Sequence, residues 1–316
     1  MSKKNAPACP RVDIGGQAVM EGVMMRNGEN YAVALRLTDG SIHVDKKKTK
    51  KQDHVGYRIP IVRGVFNFID SLVIGMSTLM DSAAYFDEEP QKELTAEEEK
   101  ARKKKEKAEM TGTLVVSVVM ALVIFMLIPY LFSRFVGRFV ESQSIQALVE
   151  GIFRIVIFIG YVLLISLMED IKRVFMYHGA EHKCINCIEH GLELNVENVR
   201  KSSKQHKRCG TSFLLFVLII SVFVFMFIRF DSPVLQFLCR LVLIPVIAGV
   251  SYEFIRLAGR SEKKVIQFLS KPGLWLQKLT TREPDDAMIE VGIASVEAVF
   301  DWKKFQEENK ESFHDL

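Results

Sequence analysis

The amino-terminal segment, MSKKNAPACPRVDIGG, lacks the apolar run that follows the positive charges of a cleavable signal peptide. We therefore expect no N-terminal segment to be removed. The chain also lacks internal repeats, and its glycine-rich stretch matches neither the phosphate-loop nor the dinucleotide-binding fingerprint. The sequence accordingly indicates neither a repeat protein nor a nucleotide-binding loop of these two types.

Cysteine is scarce, since the 316 residues contain only five. Cys184, Cys187 and Cys209 fall in a loop that we expect to face the reducing cytoplasm, where disulfides are rare. Metal binding explains these three better than disulfide formation does. Cys239 lies inside an apolar segment and is expected to serve packing. Cys9 lies in the N-terminal segment and indicates little.

Apolar residues, in contrast, make up 49% of the chain, and the mean hydropathy is +0.14. They cluster in four segments of about twenty residues, the length of a helix that crosses a bilayer. These segments are Thr113–Val136, Ile145–Met168, Ser212–Phe230 and Val234–Leu257. The sequence therefore predicts four transmembrane helices within residues 111–258.

Lysine and arginine are concentrated on one side of the predicted spans. EEEKARKKKEK precedes the first span, the loop Glu169–Thr211 contains eight Lys or Arg, and four more lie at the end of the last span or just after it. The connections Gly137–Ser144 and Arg229–Ser232 are short and nearly neutral. The positive-inside rule therefore places both termini and the loop 169–211 in the cytoplasm. The net charge of +4 is explained by basic loops facing an anionic leaflet, and no nucleic-acid partner is expected.

Residues outside the spans form three predicted regions. Residues 1–58 are predicted to be a small cytoplasmic unit with β-strands, because YAVALRL and SIHV are alternating apolar runs around an Asp-Gly turn. Residues 59–110 are predicted to contain an amphipathic interfacial helix and a charged linker, with membrane insertion of 59–86 left open. Residues 259–316 are predicted to be cytoplasmic helices, with Pro272-Gly273 breaking the first.

Few charged residues lie within the spans. Glu150 and Arg154 are four residues apart near the outer end of the second span, and Glu253 and Arg256 lie near the inner end of the fourth. Intramembrane charges are functional candidates. Being near the ends, however, these side chains can reach the interface or pair, so we favour a structural role. Metal transport, which needs ligands at mid-membrane, is a weaker hypothesis.

The long loop contains HGAEH, which has the H-x-x-E-H spacing. On a helix, His178 and His182 lie one turn apart on one face and can reach the same ion, with Glu181 beside them. In metallohydrolases with this spacing, the glutamate takes a proton from water whose pKa the metal has lowered. The apolar rhythm upstream predicts that the second span continues as a helix through the motif. Gly179 costs that helix about 1 kcal/mol relative to alanine.

A second cluster follows as a C-x2-C…H-x2-C series: Cys184, Cys187, His206 and Cys209. These four residues resemble the ligands of a closed, structural zinc site. Alternatively, His178, His182 and either His206 or Cys209 leave an open coordination position, as catalytic sites do. Both interpretations require a divalent metal, for which we expect zinc. The third interpretation is that these are ordinary polar residues of a basic loop.

The two clusters differ in their expected depth. His178 lies about 15 Å beyond the membrane edge if the helix runs straight from Met168. His206 and Cys209 precede the third span by only a turn or two. The clusters therefore meet only if the helix bends or tilts near Glu169. A joint site would lie at headgroup level and favours a lipid headgroup, a juxtamembrane peptide or a soluble cytosolic substrate.

The segment GGQAVMEGVMMR is the other unusual stretch, because its three glycines permit close backbone approach. It is either a turn that feeds a buried, methionine-rich segment or a loop that contacts substrate. In the second case, Gln17 and Glu21 would be polar site residues, and Glu21 could complete a metal shell. Arg26 or Arg63 could then hold an anionic group bidentately.

Several stretches together resemble the YqhQ family of bacterial membrane proteins, which are catalogued as predicted metal-dependent enzymes. They are GGQAVMEGVMMR, VRGV at Val62–Val65, YHGAEHK at Tyr177–Lys183, ENVR at Glu197–Arg200 and RCGTSF at Arg208–Phe213. These motifs occur in order over most of the chain. The resemblance implies a bacterial cytoplasmic membrane location.

The resemblance also implies a set of site residues: His178, Glu181, His182, His206 and Cys209, with Gln17, Glu21 and Arg26. The family pattern has H-P-R-C-G-T where this chain has HKRCGT, which leaves the potential ligands in place. Cys184 and Cys187 are not fixed members of the pattern. It therefore favours the histidine-centred site over the four-ligand structural site.

We interpret the chain as a mainly α multi-pass membrane protein. The leading hypothesis is a hydrolase-like, metal-dependent enzyme at the cytoplasmic membrane interface, with Glu181 as general base. The alternative is a non-catalytic membrane scaffold or assembly factor with a structural metal, whose C-terminal helices dock a cytosolic partner. Membrane lipids are expected partners in both cases.

Overall fold

The computed structural model of the chain describes residues 10–49, 54–86, 96–228, 230, 232–261 and 263–313. Two compact units are present. The first comprises Met1–Tyr85, Val162–Val217 and Ile244–Leu316, and the second comprises Phe86–Tyr161 and Leu218–Leu243. Cys9 and part of the predicted charged linker lie outside the described residues.

The described elements are four strands followed by helices. The strands are β1 (Ile14–Val19), β2 (Gly22–Asn27), β3 (Asn30–Arg36) and β4 (Ile42–Lys48). The helices are α1 (Val62–Ala84), α2 (Ala96–Leu122), α3 (Ile128–Val136), α4 (Gln143–Ile165), α5 (Glu169–Glu189), α6 (Val196–Lys201), α7 (Gly210–Met226), α8 (Pro233–Arg260), α9 (Lys264–Thr280), α10 (Asp286–Glu297), α11 (Trp302–Glu308) and α12 (Lys310–Phe313). A π-helical stretch, Val123–Leu127, joins α2 to α3.

The four strands form one antiparallel sheet in the order β1-β2-β3-β4. The predicted strand-containing region is thereby confirmed, and its β3–β4 pair includes the expected turn. The glycine-rich segment is not a loop, however, because it forms the β1–β2 hairpin. Glu21 lies in the two-residue connection of this hairpin with φ 51°, a left-handed conformation that residues other than glycine adopt infrequently.

The two faces of the sheet are both covered by helices of the first unit. One face contributes Ile14, Ala18, Val23, Met25 and Ala34 to a core shared with α5 and α10. The other face buries Val19, Met24, Val33 and Leu35 beside Ile74 and Leu79 of α1. Because side chains alternate between the faces of a strand, the apolar residues of β1 and β2 serve two cores.

Helix α5 carries the H-x-x-E-H motif and is the central helix of the first unit. The prediction of one continuous helix from the second span through the motif is wrong. Helix α4 ends at Ile165, and α5 begins after Met168, whose φ of −71° and ψ of 135° are those of extended chain. The break lies next to Glu169, where a change of direction is needed for the motif to meet Cys209. From Gly179 to Ile188, every residue of α5 is buried.

Four helices of the described chain are long and apolar enough to cross a membrane: Val62–Ala84, Thr111–Val136, Gln143–Ile165 and Val234–Arg260. Three of them coincide with predicted spans. The other predicted span, Ser212–Phe230, corresponds to α7, which has only 17 residues. A helix of this length rises about 26 Å, slightly less than a hydrocarbon core of about 30 Å.

Helix α1 meets the length and composition of a span, although the sequence pattern suggested an interfacial helix. Its packed face consists of small or polar residues: Gly64, Gly75, Thr78 and Ser82. Its outer face exposes large apolar side chains: Ile69, Leu72, Val73, Met76 and Met80. Asp81 near its C-terminus pairs with Lys47 of β4 at 2.8 Å. The interfacial placement of residues 59–86 stays a prediction.

The expectation that Pro272-Gly273 interrupts the first C-terminal helix is wrong, because α9 runs through both residues. Gly273 instead permits close packing. A Cβ at this position would lie 2.8 Å from Cβ of Ser212 at the start of α7. Pro272-Gly273 therefore marks the place where α9 contacts α7, and it does not mark a helix end.

The second unit buries a cluster of charged side chains around Glu150 and Arg154, and the pairing that the sequence predicts for these two residues is confirmed. Glu150 and Arg154 are only 2% and 4% exposed, and Arg240 of α8 is 3% exposed. Glu150 accepts hydrogen bonds from Arg154 and Arg240, each at 2.6 Å. Arg154 Nε also donates to the carbonyl of Phe125 at 2.8 Å, within the π-helical stretch. The cluster therefore links α2–α3, α4 and α8.

Replacing Glu150 should test this link. We expect Glu150→Gln to lower the free energy of unfolding by about 3–5 kcal/mol, because two buried guanidinium groups would lose their counter-charge. Thermal or denaturant unfolding of the purified protein in detergent measures the change. The matched control is Glu109→Gln, which removes the partner of Lys105 from an exposed pair and should have little effect. Equal stability of the two variants would contradict a stabilising role for the cluster.

Candidate metal site

Three side chains of the first unit converge on one point. His178 and His182 lie on the same face of α5, and Cys209 immediately precedes α7. One ligand atom from each residue lies within 4.8 Å of the others, and this is the group of potential metal ligands found among the described residues. Nε2 of His178 is 3.3 Å from Sγ of Cys209, and the two imidazole rings are 4.4 Å apart at their centroids.

Both histidines are oriented by a backbone carbonyl on their other nitrogen. Nδ1 of His178 is 2.8 Å from the carbonyl oxygen of Thr280, and Nδ1 of His182 is 2.7 Å from that of Lys204. A carbonyl can only accept, so each Nδ1 carries the hydrogen in these pairs. This arrangement turns both Nε2 atoms toward the cluster and is the usual support of metal-binding histidines.

Glu181 lies beside both imidazoles. Its Oε2 is 3.9 Å from Nε2 of His178 and 3.8 Å from Nε2 of His182. The residue is 5% exposed and packs under β1. A Cβ on Gly16 would lie 2.8 Å from Cγ of Glu181, so the absence of a side chain in the strand leaves room for the carboxylate arm.

The sulfur of Cys209 has further support from the start of α7. The backbone N–H of Thr211 donates to Sγ at 3.4 Å, and the Thr211 hydroxyl lies 3.0 Å from it. Burial alone would raise the pKa of this thiol, but His178 and His182 hold the pKa well below its usual value. The cluster therefore favours the thiolate, the form that binds metals.

The histidines respond to the same interactions. Burial alone would lower the pKa of His178, but the Cys209 sulfur, followed by Glu181, raises it to about 9. The pKa of His182 is raised by Glu181 and Cys209, also against burial. Negative charge thus surrounds the two Nε2 atoms, and a bound cation would be stabilised at this point. Because a ligating imidazole must be neutral, metal binding would release protons.

Gly179, within the motif, has a packing role that outweighs its low helix propensity. A Cβ at this position would lie 2.0 Å from the carbonyl oxygen of Arg282. The absence of a side chain lets the chain after α9 run directly along α5, where the Arg282 N–H donates to the Phe175 carbonyl at 2.8 Å. This approach brings the Thr280 carbonyl to His178.

His206, the alternative third ligand, lies outside this group of three ligand atoms. Its Nε2 is 3.3 Å from Oε2 of Glu189, and its ring centroid is 5.8 Å from that of His182. Gln277 of α9 holds its main chain: the His206 N–H donates to Oε1, and Nε2 of Gln277 donates to the His206 carbonyl, both at 2.8 Å. Between His206 and Cys209, the geometry therefore favours Cys209.

Cys184 and Cys187 are placed in the apolar core that α5 shares with α6 and α10. Burial raises the pKa of Cys184, and it raises that of Cys187 to about 11. Sγ of Cys187 faces the carbonyl of Glu193 at 3.4 Å. Neither cysteine belongs to the group of potential ligands found among the described residues.

The other candidate residues are engaged in structural contacts. Gln17 donates to the Gly75 carbonyl at 3.3 Å, and Arg26 donates to the Gly28 carbonyl at 2.8 Å. Glu21 forms a bidentate pair with Arg173 of α5 and accepts from Tyr177 at 3.3 Å. Arg63 donates to Glu253 at 2.6 Å. Glu253 is therefore paired with a residue remote in sequence, in addition to its neighbour Arg256 that the sequence suggested.

Sequence reasoning missed the groups that orient the ligands. Thr280 and Lys204 act through their backbone carbonyls, for which the sequence carries no signal. Thr211 lies two residues after Cys209 in the RCGTSF stretch, and this closeness in sequence was the one signal that could have indicated its contact with the sulfur. Gly16 belongs to the glycine-rich segment, but its contact with Glu181 depends on the packing of β1 against α5.

The chain matches the family described as "Protein of unknown function (DUF1385)" over residues 59–302. It is 35% identical to the "Uncharacterized protein YqhQ" of Bacillus subtilis (strain 168), over 100% of both chains. The chain belongs to the YqhQ family. No solved structure matches it. The matched range 59–302 contains His178, His182 and Cys209, whereas the sheet that covers Glu181 precedes it.

Neighbouring glycines of β1 allow a matched test of this geometry in a YqhQ-family chain. We expect Gly16→Ala to lower the free energy of unfolding by about 1–3 kcal/mol, because the new methyl group would overlap Glu181 and the Met24 carbonyl. Gly15→Ala meets no atom within 4 Å and should leave stability unchanged or slightly raised. Thermal unfolding of both variants measures the difference. Similar effects at the two positions would contradict the contact between β1 and Glu181.

Proposed function

We propose that the protein is a metal-dependent membrane enzyme of the hydrolase class, with its active site at the cytoplasmic membrane interface. The observation that carries the proposal is the convergence of His178, His182 and Cys209 beside the carboxylate of Glu181. Catalytic zinc sites have three protein ligands and an open fourth position, whereas structural zinc sites have four protein ligands. Three ligands beside the carboxylate of Glu181 match the catalytic type.

The donor set fits zinc. Imidazole nitrogens and thiolates are ligands that zinc prefers. Magnesium and calcium instead prefer oxygen ligands such as carboxylates. The histidines have fixed orientation from the carbonyls of Thr280 and Lys204, and Cys209 is held by Thr211. These contacts orient the three donor atoms toward one point before a metal enters.

In the proposed reaction, a bound zinc would supply a Lewis acid and lower the pKa of water. Glu181 acts as general base: its carboxylate takes a proton from the attacking water and later delivers it to the leaving group. His178 is the most open member of the site, with its side chain 12% exposed, whereas that of His182 is 2% exposed. Substrate would therefore approach from the side of His178.

The position of the site along the chain supports a location at the membrane surface. Helix α5 begins four residues after the end of α4, and Cys209 directly precedes the apolar helix α7. The basic residues of the loop 169–211 support the cytoplasmic side of a bacterial membrane, with both termini on that side. Lipid headgroups, juxtamembrane peptides and cytosolic molecules are the substrate classes within reach.

A structural metal site is the second candidate function, favoured by the closeness of Glu181 to both Nε2 atoms. If the carboxylate were the fourth ligand, the site would be closed and would only hold α5, the segment before α7 and the end of α9 together. The protein would then be a membrane scaffold or assembly factor.

Metal analysis tests the premise shared by both candidates. We expect purified wild-type protein to contain about one zinc per chain, and His178→Ala to lose it, because a ligand is removed. The control is His190→Ala, at the end of the same helix and outside the cluster, which should keep its zinc. Inductively coupled plasma mass spectrometry gives the content. Equal metal in wild type and His178→Ala would rule out the proposed site.

Glu181→Gln separates the two candidates. If Glu181 is the base, the variant should keep its zinc and lose turnover by about 10²–10⁴-fold. The assay compares products released from bacterial lipid extract and from cytosolic peptide extract by mass spectrometry, with wild type and variant in parallel. Loss of zinc in the variant would identify Glu181 as a ligand and favour the structural site. Unchanged products with zinc retained would exclude its role as base.

A further inference from the structure

Helix α9 has three different faces. The face packed on the protein consists of Ser270, Gly273, Leu276, Gln277 and Thr280, all buried. It includes the side chain that holds His206 and the carbonyl that orients His178. The remaining two faces point away from the protein, and they differ sharply in chemistry.

The first outward face is a row of large apolar side chains. Val265, Phe268 and Trp275 are 69%, 66% and 48% exposed, and they follow one another at intervals of three and seven residues. At 100° per residue these positions fall on one stripe of the helix. Pro272 belongs to the same stripe and is also exposed. Exposed apolar patches of this kind mark interaction surfaces in proteins.

The second outward face is a row of lysines: Lys264, Lys271 and Lys278. They recur every seven residues, so they form a line beside the apolar stripe. All three are exposed, and the helix, KVIQFLSKPGLWLQKLT, contains no acidic residue. Nζ of Lys271 lies over the ring of Phe268 at 5.4 Å, which shows how closely the two rows adjoin.

We propose that the outer side of α9 lies in the headgroup region of an anionic lipid leaflet, with the apolar row in the acyl chains and the lysine row against phosphates. An apolar stripe that contains tryptophan, bordered by lysines, is the signature of helices that lie in a membrane interface. Gly273 of α9 packs against Ser212 and Phe216 in the first turns of α7, the apolar helix of 17 residues. Because the apolar composition of α7 predicts that it enters a bilayer, the occupant that we propose for the outer side of α9 is the surface of the same bilayer.

The proposal does not depend on metal binding by the histidine–cysteine cluster. Its consequence for that cluster is structural: one wall of the site, which contains Gln277 and Thr280, is a helix whose opposite side contacts lipid. An exposed apolar row could also be covered by a protein partner. The adjoining row of lysines, in a helix without acidic residues, favours the phosphates of a lipid surface over such a partner.

Tryptophan quenching tests the proposal on the full chain. The protein is reconstituted into phosphatidylcholine–phosphatidylglycerol vesicles whose acyl chains are brominated near the headgroup end. The chain has two tryptophans, and Trp302 is buried in the apolar core. We expect roughly half of the wild-type emission to be quenched, and little of it in Trp275→Phe, because Trp275 would lie at lipid depth.

Trp275 is half exposed, so the phenylalanine variant should fold as the wild type does. Equally weak quenching in the two proteins would overturn the proposal. Quenching of Trp275 by aqueous iodide would overturn it as well, since this face would then lie in water. Protection from both quenchers would indicate a protein surface on this face and would also contradict a lipid contact.

The lysine row is tested separately with the same readout. In wild type, brominated phosphatidylglycerol should quench more than brominated phosphatidylcholine at equal content, because the lysines enrich anionic lipid around α9. The ratio should fall toward one when Lys264, Lys271 and Lys278 are all replaced by Gln. The control replaces three exposed lysines elsewhere in the first unit, Lys201, Lys304 and Lys310, by Gln and should keep the wild-type ratio. A wild-type ratio of one would overturn the electrostatic part of the proposal.

Discussion

The first unit depends on the pairing of buried polar side chains of α5 with backbone carbonyls of the segment 200–205 and of the end of α9. A helix buried on all sides normally carries apolar residues, because an unpaired polar group inside a protein costs free energy. Helix α5 instead buries His182, Lys183 and Asn186. Lys183 donates to the carbonyls of Arg200 and Ser202, each at 2.9 Å, and Asn186 to that of Ser203 at 2.6 Å. The segment 200–205 is thereby shaped around the helix, and Cys209, which follows it, is brought to the histidines.

Close backbone approach is the second requirement, and glycine meets it at two positions. Gly179 lets the chain after α9 touch α5, and Gly16 lets β1 lie on Glu181. Without the first contact, the Thr280 carbonyl could not reach His178. The low helix propensity of Gly179 is therefore offset by a contact that the helix sequence alone does not display. The glycine-rich segment at the N-terminus likewise contributes through packing, since Gln17, Glu21 and Arg26 are engaged by neighbouring groups of the protein.

The buried charged side chains of the second unit are also paired, as buried polar groups must be to avoid a large cost in free energy. Glu150 and Arg154 were visible in the sequence as an i, i+4 pair, but Arg240 is remote in sequence and gave no sign of joining them. Arg154 also donates to the Phe125 carbonyl, which lies within the π-helical stretch. The three side chains are thus paired inside the protein and not at its surface.

The sequence by itself determined three of the four membrane-length helices, the β3–β4 hairpin, the H-x-x-E-H spacing and the membership of a family, because these rest on local composition and short periodicities. Spacing alone left two overlapping metal motifs open, and the family pattern only favoured the histidine-centred one. The tertiary structure gives the physical reason: the phase of α5 turns Cys184 and Cys187 into the apolar core and His178 and His182 toward Cys209. The break at Met168, the continuity of α9 through Pro272 and the carbonyls of Thr280 and Lys204 were likewise decided by packing between segments far apart in the chain. Helix phase and long-range contact fix where a ligand points, and neither can be read from spacing alone.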